Sequence, residues 1–583
     1  MDGSPVALTV PSCLRSAAAD SPDVEAVVDG DLRLTYAALN ARAEQFARAL
    51  IAAGVRPGEA VSIWAPNSAQ WIVAALGTFA AGAVLVPVNT RYKGAEAQYL
   101  LAKARVVLLV VDQGFLGHDY LGMLRSAGAG PAGPAGLPGL PFLRTVVTLK
   151  PGGDGAAMSA ASFLDRAPAA GPGEVDHRIA AVTPGTLCDI VFTSGTSGTP
   201  KGVMTSHAAA VRTSGAWATG VGVRAGDRYL IVNPLFHSFG YRAGLLACVI
   251  KHATMIPQAV FDVEATLGIA QSERVTVLPG PPTLFYSILG HPRLGDFDLS
   301  ALRLVTTGAS TVPEELMYKI RGELHVPTVT SPYGLTEVAG TATICPPGTS
   351  VEKMSTTVGT AIPGTEVAIV DPGGRALPPG QDGEVVVRGY NVMLGYFEEP
   401  AATAEAIDAG GWLHTGDVGR LDEEGYLTVT GRIKEVFQTG GFNVYPVEVE
   451  QLLASHPMIA EAAVIGVPDD RLGEVGHAFV VPAPGCSPAA EDVIAFARER
   501  IANFKVPRGV TVVPELPHTP LGKVQKFRLT VPGSARAGTP APGSTPPPGS
   551  TLAPGDTPAP GSTPAPGDPP ARPFHAAVRR SGA

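Results

Sequence analysis

The sequence predicts a layered α/β protein, and two observations carry that reading. Its 583 residues are 45% hydrophobic, enough for several buried cores at about 150 residues per domain. Through the first 430 residues, apolar helical stretches alternate with Val-rich strands, the order in which helices cover the faces of a sheet. A third observation bounds the folded part. From Pro542 the chain repeats a hexapeptide, PGSTPP, PGSTLA, PGDTPA, PGSTPA, PGDPPA, with too little apolar bulk to offset the entropy of ordering. The fold is therefore expected to end near residue 530, leaving residues 531–583 as a disordered tail.

Charge and cysteine usage exclude whole classes of function. A net charge of -9, with 43 Lys and Arg spread along the chain, offers no basic tract for nucleic acid or an anionic membrane. Cys13, Cys188, Cys248, Cys345 and Cys486 are odd in number, far apart and in no CxxC pair. Neither a disulfide framework nor a zinc site is encoded, and a cytoplasmic setting fits. The N-terminal stretch MDGSPVALTVPSCLR lacks the apolar region of a signal peptide. Self-association into a homo-oligomer is left open.

The elements follow in chain order. WIVAALGTFAAGAVLVPV, residues 71–88, only reaches the lower length of a spanning helix, about 18 residues. Gly82 interrupts it and a β-branched run ends at Pro87, so it reads as a buried helix capped at Asn67 or Ser68, then a buried strand, with no integral membrane segment. Residues 127–141, AGAGPAGPAGLPGLP, imitate collagen triplets over too short a span for a triple helix and are expected to form an inserted surface loop without chemistry. TLCDIVF at 186–192 reads as a buried strand, and it runs into TSGTSGTPKG at 193–202. That run has almost nothing to bury and holds neither helix nor strand, so its backbone N–H groups are free to bind an anion at the strand end. An ordinary flexible turn is the bland alternative. A Walker A loop is excluded, because GxxxxGK(S/T) would need glycine at Pro200 and Ser or Thr at Gly202. KGVMTSHAAAV then suggests a return strand and a helix capped at Ser206. On local sequence alone, Glu337 reads as a solvated helix-start acid, Lys523 as a surface lysine in a turn marked by Thr519 and Gly522, and Gly440–Gly441 as a plain turn.

The glycine-rich run does not stand alone. NPLFHSFG at 233–240, TGAS at 307–310, YGLTE at 333–337, GGWLHTGD at 410–417, GRIKEVFQTGGFNVYPVEVE at 431–450, NFKVPR at 503–508 and LPHTPLGKVQK at 516–526 follow it in order. Over roughly residues 15–530 the chain resembles the adenylate-forming (ANL) superfamily of acyl-CoA synthetases, adenylation domains and luciferases. The resemblance implies the acyl-CoA synthetase fold: a large multi-layered N-terminal AMP-binding domain of sheets and helices over residues 1–432, and a small mobile α+β C-terminal lid over residues 433–530.

It also implies the chemistry and the residues that carry it. A carboxylate displaces pyrophosphate from ATP to give an acyl-adenylate, which a thiol of CoA then attacks. By resemblance Lys523 reaches the substrate carboxylate and α-phosphate, and Lys201 stands by the departing pyrophosphate. Thr193, Ser194, Gly195, Thr196, Ser197 and Gly198 hold the phosphates. Glu337, an oxygen ligand suited to a hard cation, holds Mg²⁺ together with Thr196, and Thr336 contacts the α-phosphate. Tyr333 and Gly334 lie against the adenine, with Gly308, Ala309 and Ser310 as a tight backbone turn beside it. Asp417 accepts both ribose hydroxyls, and Arg432 supports the same ribose. Lys434 falls at the hinge about which the C-terminal domain rotates, and Gly440 and Gly441 let the pantetheine arm pass. Glu435 in place of the commoner Asp and Leu521 in the last motif are mild departures.

His237 occupies the place where amino-acid-activating relatives show an aspartate, which disfavours an amino acid and implies a largely apolar pocket, with His237 lining the acyl or thiol tunnel. NPLFHSFGYRAGLLACVI and VTVLPGPPTLFYSILGHP are similar to actinobacterial ligases acting on the indanedione propanoate left by steroid ring degradation; a fatty acid is the other candidate. An enzyme loading an acyl carrier protein would share every motif. A nucleotide-binding regulator without turnover would lack a lysine or glutamate, and Lys201, Glu337 and Lys523 are all present.

Overall fold

The computed structural model of the protein describes residues 8–531 apart from 129, 151–156, 194–199, 309–311, 440–441, 470, 502 and 519–522. The hexapeptide repeats lie outside the described residues.

Two mostly parallel sheets form the frame. Eight strands lie in the spatial order Gly395–Tyr396, Lys201–Ser206, Leu187–Thr193, Val84–Pro87, Ala60–Trp64, Leu108–Val111, Thr145–Thr148 and Met158–Ser159, antiparallel only where Lys201–Ser206 meets its two neighbours. Seven more run Thr328–Thr330, Leu304–Thr307, Val277–Gly280, Arg228–Ile231, Thr254–Pro257, Glu25–Asp29 and Leu32–Thr35, parallel except for the last pair. Alternation along each strand decides the layers. Val61, Ile63 and Leu85 of the first sheet share a core with Val27, Tyr229 and Met255 of the second, and the helices Tyr36–Ala52, Ala69–Ala80 and His207–Val221 contribute Leu39, Trp71 and Trp217 to it. The alternate residues face away: Trp64, Val84 and Val86 pack on Leu100 and Leu124, while Val28, Leu230 and Leu278 pack on Leu267 and Leu316. Helices therefore cover both faces of both sheets.

The apolar stretch near residue 71 folds as its sequence dictates. Ser68 caps the helix Ala69–Ala80, accepting the Trp71 amide at 3.2 Å; Gly82 turns the chain at φ 70°; Val84–Pro87 is buried throughout. No helix among the described residues is long and apolar enough to cross a membrane.

The inserted loop needs correction. Past Ala127, which ends a helix, its described residues hold no helix or strand, yet Leu137 and Leu140 are buried in a core with the helices Gly94–Lys103 and Tyr120–Ala127. The backbone closes on itself, Gly133 N donating to Leu140 O at 3.1 Å and Ala135 N to Leu143 O at 3.1 Å. Burial of these leucines, about 2 kcal/mol each, ties down a segment whose Pro and Gly content masks its anchors.

Past the parallel sheets, Thr365–Val370, Gly383–Gly389, Leu413–Leu421 and Leu427–Arg432 form an antiparallel sheet. Beyond Lys434 the chain builds a five-stranded sheet from Phe437–Thr439, Phe442–Val444, Ile459–Asp469, Gly473–Pro482 and Gly509–Val512. The helices Pro446–Ala454 and Ala490–Arg498 complete a core of its own around Val449, Leu453, Val464, Val480 and Val493, the α+β unit expected after the large one.

Candidate active site

The glycine-rich run begins and ends on an antiparallel pair in which Thr193 and Lys201 are register partners. The residues between them, Ser194, Gly195, Thr196, Ser197 and Gly198, lie outside the described residues, as do Ala309, Ser310, Gly440 and Gly441. What is described converges. A cavity of about 1680 Å³ is lined by Thr193 and Lys201 from the hairpin and by Tyr333, Gly334, Thr336 and Glu337 from the YGLTE segment. His237 enters its wall from a third element, and Arg432, Lys434 and Lys523 from the C-terminal third of the chain. Gly308 does not line it: an added Cβ there would lie 3.0 Å from Pro332 O, so the glycine serves close packing beneath the wall. Gly334 is under the same constraint, since its Cβ would stand 2.3 Å from Gly340 O.

Four charged groups are held by specific partners. Asp417 and Arg432 are register partners across adjacent strands, and the Arg432 Nε donates to Asp417 Oδ1 at 3.0 Å. The other carboxylate oxygen accepts the Tyr333 hydroxyl at 2.6 Å. Burial, then the Asp417 charge, pushes the Tyr333 phenol well above its ordinary pKa, so it remains a donor. Across the cavity, the Lys201 ammonium stands 4.9 Å from the ring centre of Tyr396, a cation–π distance. The Tyr396 hydroxyl in turn donates to Glu337 Oε1 at 3.0 Å. Thr336 Oγ1 accepts from Ser238 Oγ at 3.4 Å.

His237 does two things. Its Nδ1 accepts the Phe239 amide at 3.2 Å, so the proton of the neutral ring sits on Nε2. Burial first, then Arg242, lowers its pKa to about 4. It is an uncharged wall residue as well as a helix cap.

Lys523 presents part of its side chain to solvent. Its pKa is nonetheless lowered, by removal from bulk water and then by Arg432, with Asp417 and Glu435 acting in the opposite sense. Behind it Lys526 pairs with Glu435 at 2.9 Å and Glu450 at 2.7 Å. Burial there is outweighed by the two carboxylates, which hold the Lys526 pKa up. Glu435 is lowered, burial being overcome by Lys526, whereas burial raises Glu450. Tyr396 lies outside every quoted motif, and Lys526, Arg242 and its partner Asp189, though inside quoted segments, were given no role there; only Tyr396, on the strand beside Lys201–Ser206, has a position that topology could have flagged.

The family of AMP-binding enzymes matches residues 14–397, and the AMP-binding enzyme C-terminal domain matches 448–523. The chain belongs to the AMP-binding enzymes. Among curated AMP-binding enzymes, a (7a-methyl-1,5-dioxo-octahydro-1H-inden-4-yl)propanoyl:CoA ligase of Rhodococcus jostii (strain RHA1) is 47% identical, covering 89% of this chain and 97% of that one. A mitochondrial medium-chain acyl-CoA ligase, ACSF2, of Danio rerio is 35% identical over 89% and 88% of the two chains. Among solved structures, the anthranilate CoA ligase AuaEII in complex with anthranoyl-AMP superposes with a TM-score of 0.78 at 27% identity, covering 90% of this chain and 97% of that one. ATP-bound MatB from Rhodopseudomonas palustris gives 0.77 at 29% identity, covering 89% and 97%.

Proposed function

We propose that this AMP-binding enzyme is an ATP-dependent acid–thiol ligase that activates a bicyclic dioxo-octahydroindenyl propanoate as its acyl-adenylate and passes it to CoA. The observation that carries the reading is the convergence of Lys201, Glu337 and Lys523 on one cavity, with buried Asp417 held by the lining residues Tyr333 and Arg432, in a chain 47% identical to a ligase named for that acid.

The chemistry explains the arrangement. A carboxylate is a poor electrophile and its attack on the α-phosphate builds negative charge, so fixed cations and donors are the main device for stabilising the transition state. Lys523 would donate to the carboxylate and α-phosphate oxygens. Lys201 would balance the departing pyrophosphate. Asp417, oriented by Arg432 and Tyr333, would accept the ribose hydroxyls. Glu337 would be the protein carboxylate for a cation carried mainly by the nucleotide phosphates. Mg²⁺ bound there would neutralise phosphate charge. For the thiol step, Lys434 would serve as the hinge between a large domain ending at residue 432 and a small one ending near 530. Five cysteines without a disulfide favour a cytoplasmic setting.

Pyrophosphate release with ATP, Mg²⁺ and CoA over a panel of acids tests the reading. The highest kcat/KM is expected for the bicyclic dioxo acid; preference for a linear fatty acid would discard that substrate and leave the ligase chemistry in place.

A further inference from the structure

The wall of the cavity is not uniformly apolar. Thr213 and Ser214, on the helix His207–Val221, line it beside Trp217 and Phe239, as does Arg242 in the π-helical turn Tyr241–Leu246. Thr213 and Ser214 are each 1% exposed and Arg242 2%. Among the described residues the Thr213 hydroxyl, the Ser214 hydroxyl and the Arg242 Nε and Nη1 have no hydrogen-bond partner. Arg242 spends only Nη2 on protein, donating to Asp189 Oδ1 and to Thr205 Oγ1, both at 2.7 Å. Buried donors left unmatched are costly and rare in native proteins. Here they share a cavity, next to the turn of a helix type that recurs at functional sites.

Resting on the bicyclic-acid reading above, we infer that Thr213, Ser214 and Arg242 form a polar subsite that accepts ketone oxygens of the acid's ring system and so sets specificity against plain hydrocarbon acids. Charge selects the ligand class. Asp189 already neutralises Arg242, so the remaining guanidinium N–H groups suit an uncharged carbonyl oxygen better than a second carboxylate. The hydroxyls of Thr213 and Ser214 rotate to donate to such an oxygen. A saturated chain in the same place leaves every one of these donors buried without a partner, at about 10-fold in kcat/KM or more per donor.

The test compares the dioxo bicyclic propanoate with the analogue in which both ketones are methylenes, using the full chain and reading kcat/KM by pyrophosphate release. Thr213→Val and Ser214→Ala remove hydroxyls at nearly constant shape; Arg242→Lys keeps a cation for Asp189 while deleting the fork. Thermal unfolding checks that each variant is folded. Wild type should favour the dioxo acid by about 100-fold or more, and Thr213→Val/Ser214→Ala should cut that ratio by at least about 10-fold, mainly through the dioxo acid. Folded variants that keep the wild-type ratio overturn the subsite and leave the bicyclic substrate standing, as does a wild type that turns over both bicyclic acids equally. A wild type that turns over neither, but accepts linear acids, overturns the substrate reading and the subsite with it.

Discussion

At the scale of single residues, Lys523 and Tyr396 make the sharpest demands. Lys523→Ala is expected to lower pyrophosphate release by roughly 10²–10³-fold, the usual cost of one transition-state donor, while CoA attack on supplied acyl-adenylate stays near the wild-type rate; equal loss of both steps would remove Lys523 from its assigned role. Tyr396→Phe keeps the ring under Lys201 but frees Glu337 Oε1. Its expected signature is a lower kcat with a raised Mg²⁺ requirement, read from a metal titration at saturating ATP. The motif residues were legible because a signature fixes type and spacing together. Tyr396 was not, since a single tyrosine in MLGYFEEP reveals its partners only when Gly395–Tyr396 pairs with the strand that starts at Lys201. Arg242 was illegible for a related reason: its partner Asp189 lies 53 positions away, and no local pattern announces a long-range buried ion pair.

At the scale of elements, two sets of ion pairs bracket Lys434 in the chain. Asp417–Arg432 belongs to the antiparallel sheet before it, whereas Glu435, Glu450 and Lys526 are all beyond it. A rotation about Lys434, the proposed hinge, would leave both sets intact, and the second ties the last described 3-10 turn, Lys526–Arg528, to Glu435, the residue that follows Lys434. Lys526→Met strands two mostly buried carboxylates and should cost about 3 kcal/mol; urea unfolding of variant and wild type measures it. The helices and strands of the large domain were readable from hydrophobic period and caps, as at Ser68 and Ser206. The loop 127–141 was half-readable, because its Pro and Gly predicted irregular backbone but two leucines in a low-complexity run gave no hint of burial.

At the scale of the whole molecule, pH and truncation discriminate. His207 and His237 both have pKa values lowered to about 4 by burial, below the 6.5 of an unperturbed histidine. The unfolded chain therefore takes up these protons first, so stability is full above about pH 6.5 and declines as pH falls toward 4. Urea midpoints at pH 7.5 and 5 should differ accordingly, and His207→Gln should narrow the gap. Deleting residues after 532 should change neither turnover nor the oligomeric state found by sizing, and a change in either would give the repeats a function. Which acid fits was the least legible property of all, because the acyl wall is assembled from segments that meet only in the fold. One consequence of the shared cavity is kinetic. On the proposed chemistry, nucleotide, acid and thiol would all enter a single space of about 1680 Å³, so an early arrival of the thiol would obstruct the other two. Velocity should pass through a maximum as CoA is raised at fixed ATP, and extra ATP should shift that maximum upward.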